Sequence, residues 1–268
     1  MKNLAALLCV GLLLCGGSLQ ARSLDATSIV TKYAEQGDAE AQFVLARLYA
    51  DGRGVPQSDD LALLWYERAA RAGLADAQHR LGSLFLKGRL GLLEDSQEAF
   101  QWFSLAAAQE HKVAQYFVGN ALIKGDGVAQ DVELGLQWLH RAAGNDCKRA
   151  KARLGQIYDL GIGVQEDDAK AVSWYLQAAT HNMSFAQRAL GRMYRHGEGV
   201  PVDTVEAVKW YRLAADRDKP DAQFALGEIY LHGEGGIAAD RALAEHWLAR
   251  AAQLAYQPAI DLLARIQP

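Results

Sequence analysis

His196 and His232 each precede a Gly-Glu-Gly triplet, Gly197-Glu198-Gly199 and Gly233-Glu234-Gly235, and stand 36 residues apart. Two imidazoles and two carboxylates brought together could hold zinc. A solvated turn repeated because its unit was duplicated gives the same pattern with no ligand, and that is the reading adopted. Cys147 could offer a thiolate, but no residue close in sequence reads as an activating base, so it is expected to be a small packed residue at a helix start. The chain contains no G-x-x-x-x-G-K-[ST], no G-x-S-x-G and no H-E-x-x-H. Neither a catalytic residue nor a metal or cofactor is expected. Arg188, Arg192 and Arg195 remain, at i, i+4 and i+7. On one helical stripe, three guanidiniums could grip carboxylates through paired hydrogen bonds.

The elements that must position these groups follow from a repeat. Tryptophan recurs at Trp65, Trp102, Trp138, Trp174, Trp210 and Trp247, with spacings of 37, 36, 36, 36 and 37. Gly52, Gly88, Gly125, Gly161, Gly197 and Gly233 keep the same beat, as do Ala-Ala pairs beginning at Ala69, Ala106, Ala142, Ala178, Ala214 and Ala251. Six units of about 36 residues are therefore expected. Within one, Ala186, Leu190, Met193 and Tyr194 fall on one face of a helix. Gly197 to Pro201 stops it, and Asp203 caps a second helix carrying Ala207, Trp210, Tyr211, Ala214 and Ala215. Asp95, Asp131, Asp167 and Asp240 are caps in the corresponding places. The aromatic residues read as core, not as a ligand cage.

These residues resemble the Sel1-like repeat family: an alanine, a Leu-Gly pair as at Leu190-Gly191, a tyrosine, a Gly-x-Gly-Val turn, an Ala-x-x-Trp-Tyr segment and an Ala-Ala pair. The match runs from Asp38 to Leu254. It implies an all-α, right-handed superhelical solenoid of six helix-turn-helix repeats, related to tetratricopeptide arrays. Leu90 replaces the second turn glycine of the second unit, and Leu122 the tyrosine of the third, so local loosening is expected there. Residues 22–37 and 255–268 read as capping helices around the repeats at 38–254. Some cysteine-rich members of the family are β-lactamase-like, but none of the nine serines here has a lysine three residues later.

Half the residues are apolar and 22% are charged, which excludes disorder and fibre. The net charge of −4 and the absence of any basic run argue against nucleic acid as a partner. Residues 1–21 have the layout of a cleaved signal peptide, with Lys2, an apolar run from Leu4 to Cys15 and small residues after it. That run is too short to span a bilayer of ~30 Å, so stable membrane insertion is not expected. Leu14 argues against lipid attachment at Cys15. The expected location is the periplasm.

Positions 43, 47 and 50 and their equivalents in later units vary while the frame does not. From this column come the expected partner-binding residues of the concave face: Phe43, Arg47, His79, Tyr116, Asn120, Ile123, Gln156, Arg188, Arg192, Arg195, Phe224, Glu228 and Leu231. Exposed rings and aliphatics would act as hot spots, and the arginines would face an acidic segment. The expected function is a non-catalytic scaffold or adaptor that holds another protein, either an envelope component or a toxin effector. The alternative, by resemblance, is an immunity protein neutralising a type VI secretion phospholipase effector. A third reading, a weak cell-wall or β-lactam hydrolase, has no motif behind it.

Overall fold

The computed structural model describes residues 19–266, so the expected signal peptide lies outside the described residues except for its last three positions. Among the described residues there are fourteen α-helices and no strand. They divide between Asn145 and Asp146 into two compact units. The first holds α1 (Leu19–Glu35), α2 (Ala39–Asp51), α3 (Asp59–Arg71), α4 (Ala75–Phe85), α5 (Ser96–Ala108), α6 (Lys112–Lys124) and α7 (Val132–Gly144). The second holds α8 (Lys148–Leu160), α9 (Asp168–Ala179), α10 (Ser184–His196), α11 (Thr204–Ala215), α12 (Pro220–His232), α13 (Arg241–Gln253) and α14 (Gln257–Ile266). In each unit consecutive helices pack as hairpins.

The helix starts obey the expected capping chemistry. Ser58, Asp95, Asp131, Asp167, Asp203 and Asp240 each accept a hydrogen bond from the backbone N–H three residues on, which satisfies one of the orphan donors of the second helix of each repeat. The first helices of repeats one, three, four and five end on glycine in the left-handed region, for example Gly197 at φ 78°. In the second repeat α4 ends early, at Phe85, and Leu90 adopts φ 56°, the local distortion that the missing glycine predicts.

Close approach explains the glycine of each Leu-Gly pair. A Cβ on Gly155 would stand 2.5 Å from the ring of Tyr175, and one on Gly191 would stand 2.6 Å from the ring of Tyr211. The residue after the tryptophan, a ring at Phe103, Tyr175 and Tyr211 and a leucine at Leu139 and Leu248, therefore packs closely on the first helix of its own repeat. Tryptophan itself seals one repeat to the one before it, Trp102 against the core of Leu45, Tyr66 and Leu81, and Trp210 against that of Tyr175, Leu190 and Met193.

A buried amide accompanies this packing. Gln42, Gln78, Gln115, Gln187 and Gln223 each donate Nε2 to the carbonyl oxygen of an alanine at the end of the preceding helix, at 2.9–3.3 Å. Each bond ties a first helix to the last turn before it and satisfies a polar group that would otherwise be costly to bury. The fourth repeat has Lys151 at this position, and its ammonium instead meets Asp146 at 2.6 Å.

Candidate functional site

The thirteen candidate residues lie on the first helices of the repeats, on α2, α4, α6, α8, α10 and α12. In the first unit the column consists mainly of rings and an amide, with one arginine, Arg47. Phe43 is half-buried against Tyr66, with ring centroids 5.7 Å apart, while Arg47 is exposed. His79 stacks on His111 at 4.6 Å, and Tyr116 meets Phe117 edge-on at 5.4 Å. Asn120 donates to the Tyr116 carbonyl at 3.2 Å. Ile123 was expected to be exposed and is buried, because α7 offers Gly135, whose missing side chain leaves the space that Ile123 fills.

In the second unit the column is ionic. Gln156 accepts from Arg153 at 2.5 Å. Arg188 pairs with Asp221 at 3.1 Å. Arg192 pairs with Asp159 at 2.5 Å, and its other nitrogen meets Glu198. Arg195 donates to Glu234 through two nitrogens, at 2.8 and 3.1 Å, and to Glu228 at 3.2 Å. The three arginines thus form one stripe, as the spacing predicts, but each is already met by carboxylates of this chain. Five carboxylates against three guanidiniums leave the cluster at −2, so it is not a free receptor for an acidic segment. Phe224 and Leu231 are half-buried, Phe224 against Tyr256 at 5.6 Å.

Two tyrosines of the second helices reach this layer. The Tyr175 hydroxyl donates to Asp159 at 3.1 Å. Burial, reinforced by the Asp159 carboxylate, holds that phenol far above its ordinary range. Burial also pushes Tyr211 up to about 12, against the pull of Arg195, Arg192 and Arg188.

Glu198 and Glu234, considered above as zinc ligands, are instead the partners of Arg192 and Arg195. Among the described residues no group of three or more His, Cys, Asp or Glu could hold a metal ion. Cys147 is buried as the N-cap residue of α8. No described helix is long and apolar enough to cross a membrane. What the surface offers is rings, amides and paired charges, the groups of non-covalent recognition.

Asp159 and Glu228 stand in the column, at the equivalents of positions 50 and 47, whereas Glu198, Asp221 and Glu234 were not expected to share this site. A simple signal points to three of the five arginine contacts. Adding 33 to 188 or 195 lands on Asp221 or Glu228, and subtracting 33 from 192 lands on Asp159. That offset is one repeat less one helical turn.

The Sel1 repeat family model matches six segments, residues 39–74, 75–111, 112–147, 148–183, 184–219 and 220–256. Among solved structures, the chain is similar to c5321, a protective antigen present in uropathogenic Escherichia coli strains and displaying an SLR fold. Identity is 31% and the TM-score 0.89, over 99% of this chain and 56% of that one. A Sel1 repeat protein from Oxalobacter formigenes is 32% identical with a TM-score of 0.79, over 92% of this chain and 96% of that one. Immunity protein PA5088 from Pseudomonas aeruginosa, at 23% identity and a TM-score of 0.51 over 82% of each chain, shares the fold alone. The curated relative chitin synthase regulatory factor 4 of Schizosaccharomyces pombe is 36% identical over 83 residues, 30% of this chain but only 12% of that protein. Chitin synthase regulatory factor 3 of the same organism is matched over 9% of its length.

Proposed function

The chain belongs to the Sel1 repeat family, and from that premise we propose that it is a non-catalytic periplasmic scaffold that holds one partner protein on its first-helix faces. The carrying observation is a contrast between frame and face. Trp, Gly and Ala-Ala recur six times in phase, whereas the column at 43, 47 and 50 and its equivalents runs from rings through amides to ion pairs. A surface that differs from unit to unit on a constant frame suits a partner read along its length. The signal-like residues 1–21 support export.

The test is capture of the partner on the immobilised chain, followed by the variant Arg47→Glu/Tyr116→Ala. Loss of affinity of about thirtyfold, as truncation at a hot spot produces, with the thermal midpoint within a few degrees of wild type, is the expected result. Unchanged affinity removes these residues from the interface. An immunity role uses the same surface and differs only in what is held. A captured phospholipase that is inhibited in the complex would assign that role, and a captured envelope component would assign the adaptor role.

A further inference from the structure

The guanidiniums of α10 are occupied by neighbouring repeats, so the uncompensated cations of the second unit lie elsewhere. Lys148 and Arg149 open α8, both are exposed, and neither has an ion pair or hydrogen bond among the described residues. Their placement runs against the helix, because the first turn of α8 carries no acid and the N-terminal end of the macrodipole is itself positive. The first helices of repeats one, two and six carry Glu40, Asp76 and Asp221 there. Asp146, two residues upstream of Lys148, does not neutralise the pair, since it is held by Lys151 at 2.6 Å and His181 at 3.1 Å. Arg149 shares a helical face with Arg153 and Gln156, so it extends the candidate column by one turn.

We propose that this basic surface at the start of α8 docks an acidic segment of the partner protein, a run of aspartate or glutamate side chains. The inference rests on the scaffold reading and deepens it. Charge complementarity carries it. In a chain of net charge −4, an acidic peptide is repelled overall and can be held only where the local field is reversed. Arg149 supplies a planar fork for a carboxylate, Lys148 a mobile point charge, and both are exposed.

The probe is a fluorescein-labelled decaglutamate peptide, followed by anisotropy at low ionic strength with the full chain. Saturable binding is expected, weakened about tenfold or more by Lys148→Glu/Arg149→Glu and progressively by added salt. The control is Lys87→Glu/Arg89→Glu, an equal charge change at exposed residues of the first unit, which should lose much less. Glutamates at the start of α8 agree with its macrodipole, so the thermal midpoint of the first double variant should hold or rise, which separates lost binding from lost fold. Equal loss by the two doubles would overturn the proposal, as would absence of saturable binding. Preferential binding of anionic phospholipid vesicles, abolished by the same substitutions, would also overturn it and assign the patch to a lipid surface. If the captured partner binds Lys148→Glu/Arg149→Glu as it binds wild type but loses affinity for Arg47→Glu/Tyr116→Ala, this inference fails and the scaffold reading stands.

Discussion

Arg195 and Arg188 look alike in the sequence and differ in consequence. The side chain of Arg195 is 15% exposed and joins two glutamates of the next repeat, whereas that of Arg188 is 38% exposed and has one aspartate. Arg195→Ala should therefore lower stability by about 1–3 kcal/mol, because it leaves two partly buried carboxylates without their donor. Arg188→Ala should cost less than about 1 kcal/mol, as solvent-screened pairs do. Denaturant midpoints of the two variants check the order. Tyr211 gives a pH dependence of definite sign. Its folded value of about 12 lies above that of an unfolded tyrosine, about 10. The contribution of its burial is thus complete below pH about 10 and is lost as the pH rises towards about 12. A tyrosinate absorbance titration should show a fraction of the ten tyrosines ionising late, together with unfolding. The arginine stripe was legible as i, i+4, i+7, and Asp159 and Glu228 stood in the same column, but which charges would pair was not legible. Asp159, Asp221 and Glu228 belong to other helices 33 residues away, Glu234 to the turn after α12, 39 residues away, and Glu198 to the turn that follows α10, and helical periodicity within one element carries no information on them.

At the scale of the helix pair, glycine against ring sets the distance between the two halves of a repeat. Gly191→Ala must displace Tyr211 or separate α10 from α11, and should cost about 1–3 kcal/mol as overpacking does. Gly144→Ala faces open space at the end of α7, and should be neutral or stabilising by up to about 1 kcal/mol, through helix propensity and the unfolded chain. Thermal melts of the pair test whether the close contact, rather than glycine itself, is what matters. The helices, their Asp caps and their glycine stops were legible because each is a local choice of residue. The buried amides were not. Gln187 and its equivalents are spaced with the repeat, but an amide at a helical position reads as solvated until the facing carbonyl, here that of Ala179 at 3.3 Å, is seen. Ile123 was misread for a related reason, since the gap that receives it is made by Gly135 on another helix.

Over the whole chain, stability should follow nearest-neighbour rules, with each repeat supported by those beside it. Arg195→Ala should accordingly raise amide hydrogen exchange in α10 to α13 and leave α1 to α7 at wild-type rates, read by mass spectrometry of the intact chain. Uniform acceleration from α1 to α14 would show a single cooperative block instead. The buried glutamines bear on the ancestry of such a chain. Each donates to a main-chain carbonyl, an acceptor that every repeat possesses whatever its side chains, so a copied segment of about 36 residues arrives already compatible with its new neighbour. The arginine contacts demand a particular acid in a particular neighbour. In repeats five and six the glutamine bond makes no such demand, whereas exchanging the order of repeats four to six would strand Arg192 from Asp159 and Arg195 from Glu228.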